Sequence, residues 1–338
     1  MSLKKIAEEL GMSLTTVSRA LNGYPEVAAK TRLAVQAAAE RHHYTPNARA
    51  RGLALGRADA IGLVFSITPD DLGDVQFLDV AAGLTERFAS ECIDLLIISA
   101  SPKDELSTYG RVIAGGRVDA FVVARTRVRD ARLTYLCERR IPFVAYGRSA
   151  TLLPPYAWLD FDNEAGARMA AERFLSLGHR RLGYLGAPAE YNFATQRFEG
   201  FERTVLAGGG TLVQGAVLQV SLDRRSGYAA MQRLLELPQR PSAVLVDNSL
   251  AGVGAVHAAL NAGVVLGRDL SLIVYDGLAA DSVIRNAITS VRQPTPNSTG
   301  IMLAELTLDL LGGKPVETLH RLREPALDIG DSDGPPAA

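Results

Sequence analysis

Leu14, Thr15, Ser18 and Arg19 fall on one side of a short stretch whose other side is Val17, Ala20 and Leu21. On a helix this leaves two hydroxyls, an aliphatic side chain and a guanidinium outside, on a rod narrow enough for a major groove. The charge around them fits that use. The first 57 residues hold nine lysines and arginines against four glutamates, a local charge of +5. The whole chain of 338 residues carries −1, so the remainder carries −6. A basic head on an acidic body is expected when only the head meets phosphate. Enzymatic constellations are absent from the sequence: there is no G-x-x-x-x-G-K-[ST], G-x-S-x-G or H-E-x-x-H string. The two cysteines, Cys92 and Cys137, lack C-x-x-C spacing and are expected as buried, inert thiols. No metal site, cofactor or catalytic residue is expected.

The elements that would carry those residues can be read locally. Ser2 can cap a first helix whose Ile6, Ala7 and Leu10 share a face, and Gly11 allows a tight turn. Ser13 can cap a second helix running to about Leu21, stopped by Asn22-Gly23. Two short helices across a glycine turn make a helix-turn-helix. A third helix from about Ala28 to His42 roofs them through Val35 and Ala38. After Tyr44-Thr45-Pro46 comes Asn47–Leu55, with two arginines, two leucines and no acid, too short to be a stable helix alone.

Here the sequence resembles the LacI/GalR family of regulators. Gly11–Asn22 is similar to that family's recognition segment, and Tyr44-Thr-Pro-Asn47 followed by Ala50-Arg-Gly-Leu-Ala-Leu-Gly56 is similar to its hinge. The resemblance implies that Leu14, Thr15 and Arg19 read operator bases, with Arg19 suited to a guanine edge and Leu14 and Thr15 to thymine methyls. It implies phosphate contacts from Ser2, Ser13, Thr16 and Asn22, and minor-groove contacts from Asn47 and the wedge Leu53. The family begins its third helix with Ser or Thr; Ala28 stands there instead and supplies no cap.

From Ala60 onward, short apolar runs alternate with amphipathic segments. Eight strands are expected: Ile61–Phe65, Ile93–Ser99, Ala120–Ala124, Phe143–Tyr146, Leu182–Leu185, Ala216–Val220, Ala243–Val246 and Leu272–Tyr275. They divide into two sets near Trp158–Asp160. Apolar strands separated by helices indicate parallel sheets covered on both faces. Two doubly wound subdomains place a ligand between the carboxyl ends of their strands, an arrangement that resembles the periplasmic-binding-protein fold of the same family. The cleft residues are then Asp70, Asp71, Gln76, Phe77, Ser99, Ser101, Arg125, Gly147 and Arg148 on the first lobe. On the second they are Asn192, Arg197, Leu222, Asp247, Asn248 and Asp276. Guanidinium forks and carboxylates suit a polyhydroxylated ligand. The resemblance places Arg197, Asp247 and Asp276 at the effector.

Two departures fall in this cleft. Leu222 occupies a place where the family often stacks an aromatic, for which Phe77 or Trp158 could substitute. Gly147 follows a strand after which an acid is common. The Gly147-Arg148 pair and the Ala124-Arg125-Thr126 run are similar to family members that respond to α-glucosides or trehalose. Gly178-His179 is expected to close a helix C-terminus, where a protonated imidazole is favoured.

The expected organisation is a helix-turn-helix domain (1–44), a hinge helix (45–57) and an effector-binding and dimerisation domain (58–330). The last divides into subdomains of about 58–158 with 293–319 and about 159–292 with 320–330, before a disordered tail, 331–338. The tail has no leucine heptads, so a tetrameric coiled coil is not expected. Lys4-Lys5 precede no apolar run and no stretch approaches the ~18 apolar residues of a membrane span, so a cytoplasmic, nucleoid-associated protein is expected. The function expected is a homodimeric repressor on a pseudo-palindromic operator, controlled by a mono- or disaccharide. The rivals are an exported sugar-binding protein of a transporter and an enzyme on the same fold.

Overall fold

The structure, a computed structural model, describes residues 3–21, 24–44, 57–65, 75–101, 103–151, 154–278, 282, 284 and 286–337. It falls into two compact units, residues 1–59 and 60–338.

In the first unit, helices α1 (Leu3–Leu10), α2 (Leu14–Leu21) and α3 (Ala29–Arg41) enclose a core of Ile6, Val17, Val35 and Ala38, all fully buried. Gly11 takes the left-handed conformation (φ +60°) that turns α1 into α2. Ser13 Oγ accepts the Thr16 amide at 3.0 Å, which satisfies an orphan donor at the start of α2. Ala28 precedes α3 without a side-chain cap. Glu9 joins α1 to the end of α3 through Arg41 and His42.

The second unit contains two six-stranded sheets. In chain order the strands are β1 (Ala60–Phe65), β2 (Asp94–Ser99), β3 (Ala120–Val123), β4 (Phe143–Tyr146), β5 (Ala157–Phe161), β6 (Arg181–Gly186), β7 (Thr211–Gln219), β8 (Ala243–Val246), β9 (Ser271–Tyr275), β10 (Ser290–Arg292), β11 (His320–Arg323) and β12 (Ala326–Asp328). The first sheet, ordered β2-β1-β3-β4-β5-β11, is wholly parallel. The second, β7-β6-β8-β9-β10-β12, is parallel except for β12. Each sheet switches direction beside its first strand, which opens a crevice at the strand carboxyl ends. Helices cover both faces. On the first lobe α4 (Val75–Ala89) and α11 (Pro296–Leu311) cross so closely that a Cβ on Gly83 would lie 2.1 Å from the Asn297 carbonyl oxygen.

Three expectations about the strands and the lobe boundaries need correction. The eight expected strands all occur, but β5, β10, β11 and β12 were not foreseen. Trp158–Asp160 is not a boundary; it is the middle of β5 in the first sheet. The 320–330 segment is shared, with β11 completing the first sheet and β12 the second. The chain therefore changes lobe near Asp162, near Gln293 and at Glu324-Pro325.

The described part of the tail, residues 331–337, is not loose. Ser332 is buried, its carbonyl accepting the Leu272 amide at 2.8 Å and its hydroxyl donating to the Leu272 carbonyl at 2.6 Å. The Asp333 carboxylate pairs with Arg173 at 2.6 Å. A polar segment can be buried when each of its groups finds a partner, as these do along β9.

Gly178 and His179 close the helix as expected, their amides donating to the Leu175 (3.1 Å) and Phe174 (3.0 Å) carbonyls, but the imidazole does not sit there as a favoured charge. The ring lies between the hydroxyls of Ser242 (2.9 Å) and Ser271 (3.0 Å) and the Gly334 carbonyl (2.8 Å), and burial lowers its pKa. The thiols differ from expectation too: Cys92 is exposed in a left-handed turn and Cys137 only half-buried.

Candidate functional site: an inter-lobe cavity and an exposed helix

A cavity of about 570 Å³ opens between the carboxyl ends of the two sheets. Of the residues expected there, Gln76, Phe77, Arg125, Gly147, Arg148, Arg197, Leu222, Asn248 and Asp276 line it. Ser99 and Ser101 are exposed outside the lining, and Asn192 and Asp247 are buried behind it. Asp70 and Asp71 lie outside the described residues.

The second-lobe wall is organised around Arg197. It lies on α8 (Asn192–Ala207), one turn beyond Phe193, so the two share a face. The guanidinium stacks 3.4 Å from the centroid of the Tyr275 ring and 4.8 Å from that of Phe193. Its Nε donates to Asn163 Oδ1 at 3.0 Å, one terminal nitrogen donates to the Asp247 carbonyl, and the other lies 3.8 Å from the Asp276 carboxylate. Burial pulls the Arg197 pKa down, but Tyr275, Asp276 and Asp247 outweigh it and hold the group charged. Gly166 is required here, since a Cβ would stand 2.2 Å from the Tyr275 hydroxyl.

Asp247, expected to touch the effector, faces inward. Both carboxylate oxygens accept the Ala187 amide at 2.9 Å, and Asn248 and the Tyr184 hydroxyl add further bonds. Full burial nevertheless raises its pKa. Its role is to tie the loop after β6 to that after β8, leaving its main-chain oxygen to Arg197.

The first-lobe wall repeats the Arg–Asp pairing with different supports. Arg148 Nε meets Asp160 Oδ2 at 2.7 Å. Gly147, at φ +103°, packs against Thr126, where a Cβ would come within 2.4 Å of the hydroxyl oxygen. No acid fits at that position; the carboxylate comes instead from β5. Arg125, also in a left-handed conformation (φ +51°), lies 4.6 Å over Phe65, which stacks on Phe77 at 4.3 Å. Trp158 does not line the cavity; it stacks on His320.

The sequence reading missed Asp160, Asn163, Phe193 and Gln293, all of which line the cavity. The spacing of Phe193 to Arg197 was a usable signal. The alternation in Trp158-Leu-Asp-Phe161 was another, once those residues are read as a strand.

The lobes also touch directly. Gln76 Nε2 donates to the Asp276 carbonyl at 3.4 Å. Arg127 and Tyr191 form an antiparallel bridge, flanked by Asn192 N–H to the Thr126 carbonyl (3.0 Å) and Val128 N–H to the Glu190 carbonyl (2.8 Å). The first-lobe side of this bridge is braced by buried charges. Arg132 binds Glu105 (2.9 Å) and Asp130 (2.7 Å), Arg127 binds Glu105 (2.9 Å), and Arg132 also donates to the Arg125 carbonyl. Burial raises the Asp130 pKa, but Arg132 overrides it and the net shift is downward.

On the head, α2 buries Val17 and Ala20 and presents Leu14, 49% exposed, with Thr15 and Arg19 beside it. Arg19 lies 3.7 Å from Glu26 and 6.0 Å from the centroid of the Tyr24 ring. Thr16 bonds to Ser13. Ser2, Asn22, Asn47 and Leu53 lie outside the described residues.

Comparisons with known proteins match this architecture. Residues 2–47 match the family described as bacterial regulatory proteins, lacI family, and residues 171–332 match the periplasmic binding protein-like domain. The HTH-type transcriptional regulator RafR of Escherichia coli is 38% identical over 321 residues, 95% of each chain. A solved transcriptional regulator CelR–cellobiose complex is 26% identical with a TM-score of 0.74, covering 98% of this chain and 99% of that one. A solved lac repressor dimer bound to operator and an anti-inducer is 23% identical with a TM-score of 0.83, covering 98% of each chain, and shares the fold.

Proposed function

Because the chain belongs to the lacI family of bacterial regulatory proteins and is a DNA-binding transcription regulator, we propose that it is a cytoplasmic repressor controlled by a sugar in the inter-lobe cavity. Two copies bind a pseudo-palindromic operator, one head per half-site. Leu14, Thr15 and Arg19 read bases; Ser13 and Thr16, with Ser2 and Asn22, hold phosphates; Asn47 and Leu53 act in the minor groove. The match over residues 2–47 favours this reading over an exported sugar-binding protein, and the named relatives are regulators, not enzymes.

The observation that carries the effector assignment is Arg197. A buried guanidinium stacked on Tyr275 and kept charged beside Asp276 faces a cavity lined by both lobes. Such a pair both donates to and accepts from hydroxyls. The cavity lies within the roughly 300–1,000 Å³ range of sites that enclose small molecules. A sugar that fits one lobe arrangement better than another shifts the spacing of the heads by that difference in affinity.

Two experiments test the reading. A thermal-shift panel of mono- and disaccharides and purines should give a concentration-dependent rise with at least one sugar. Arg19→Ala should weaken operator binding by about 1–3 kcal/mol and relax discrimination at one base pair. Unchanged discrimination would remove Arg19 from the readout set.

A further inference from the structure

Trp158 is the only tryptophan of the chain, and the effector reading leaves it without a task. It sits in β5 directly opposite His320 of β11, with the two rings stacked at 4.9 Å and 15°. The Arg148 guanidinium lies over the same indole, 5.1 Å from the centroid. Side chains two apart on a strand project from one face. Trp158 and Asp160 are such a pair, and together they hold Arg148 at two points, by its flat face and by its Nε. Each support is itself fixed. Asp160 is 4% exposed, and its other oxygen accepts the Phe161 amide at 2.8 Å. His320 Nε2 lies 3.2 Å from the Tyr156 carbonyl oxygen.

What this leaves over is specific. With Nε engaged by Asp160, the two terminal nitrogens of Arg148 have no protein partner among the described residues, and Arg148 lines the cavity. A guanidinium in that state is a planar fork of donors that matches two adjacent oxygens. The direction of the fork is set by groups that do not reach the cavity, Trp158 and His320, and by one that does, Asp160.

We infer that Asp160, Trp158 and His320 form a positioning set that aims the terminal fork of Arg148 at the ligand, and so decides which pair of ligand oxygens the first-lobe wall accepts. The inference rests on the reading that the cavity holds a polyhydroxylated effector. It adds that sugar selection by the first lobe depends on an aromatic stack outside the cavity. A preorganised donor loses little freedom on binding, whereas a loose arginine must be ordered by each sugar it meets.

The experiment uses the full-length protein and three probes, maltose, cellobiose and trehalose, followed by Trp158 emission and by the thermal midpoint. In the wild type at least one sugar raises the midpoint and alters the emission. In Arg148→Ala the emission change disappears. Asp160→Asn and Trp158→Leu weaken that sugar about tenfold or more and alter the ranking of the three, whereas Trp158→Phe, which keeps a ring, restores affinity. The ligand-free midpoint reports whether each variant folds, and Asp160→Asn serves as the test if Trp158→Leu does not fold. Folded Asp160→Asn and Trp158→Leu proteins with wild-type affinities and ranking would overturn the inference. So would an emission change that persists in Arg148→Ala with binding intact. If Arg197→Ala abolishes binding while the Asp160 and Trp158 variants leave it unchanged, the effector reading stands and the positioning set falls. If no mono- or disaccharide raises the wild-type midpoint, both fall.

Discussion

The two walls of the cavity carry the same pair of groups and hold them in opposite ways. On the second lobe, the Arg197 side chain is 6% exposed, sandwiched by aromatics and bonded to Asn163 and the Asp247 carbonyl, with its carboxylate at 3.8 Å. On the first lobe, the Arg148 side chain is 34% exposed and held by one close carboxylate and one ring. Arg197 is part of the lobe's interior and its charge is needed there with or without a ligand. Arg148 stands on the surface of its lobe and can be exchanged at less cost. The difference teaches that one wall builds its arginine into the fold while the other presents its arginine at the surface of the cavity.

The largest effect is expected from Arg197→Ala. It strips donors from Asn163 and Asp247, empties the face of Tyr275 and removes a cation from beside Asp276. The cost should be about 3 kcal/mol by urea unfolding, with the ligand response lost. A stability within error of wild type would erase the contrast between the walls. Arg148→Ala should cost only about 1 kcal/mol, because its pair is part-exposed, yet weaken the ligand.

Asn192→Pro sharpens the comparison at the contact between lobes. Asn192 is the first residue of its helix, where proline is tolerated, so the main loss is the amide that reaches Thr126 across the cleft. The expected cost is about 1 kcal/mol or less, with weaker ligand binding than in an Asn192→Ala control that keeps the amide. Equal binding by the two variants would show that this bond has no part in holding the lobes together.

The smallest effect is a difference in acid sensitivity. His179 of the second lobe has a lowered folded pKa, so the unfolded chain takes up the proton first. Stability therefore falls as pH drops through the ordinary histidine value of about 6.5. Asp130 of the first lobe has a depressed pKa, so its contribution is intact above the ordinary aspartate value and is lost only as pH falls through the still lower folded one. Near pH 5.5, amide exchange should quicken in the second lobe and not the first. His179→Asn should flatten that dependence.

Much of this was legible because long apolar runs are unambiguous. Phe143–Tyr146 and Ala243–Val246 were read to the residue, and the rule that ligands sit beyond strand carboxyl ends found both arginines. The unread strands lack such runs. His320–Arg323 is an edge strand with two arginines and a histidine, and edges are polar to resist further pairing. Ala157–Phe161 contains a buried aspartate, which marks a strand interior only if its partner, Arg148, is known. Asp247 misled for a related reason: it follows a strand as a ligand residue should, but its direction is set by an amide sixty positions earlier, at Ala187. The tail was misread because its polar groups are matched by distant residues, Arg173, Leu272 and Thr289.

The main-chain bridge between residues 126–128 and 190–192 bears on time as well as affinity. Its hydrogen bonds run from main chain to main chain and involve no side chain of the cavity. Parting them is a collective motion of two lobes, on the microsecond-to-millisecond scale of such movements. Where release requires that opening, the residence time of a bound molecule has a floor set by the protein backbone, and the dissociation rates of two ligands of unequal affinity would test it. Sugars of different affinity should then differ less in how fast they leave than in how tightly they are held, and the regulator's response to a falling sugar supply would keep nearly one tempo.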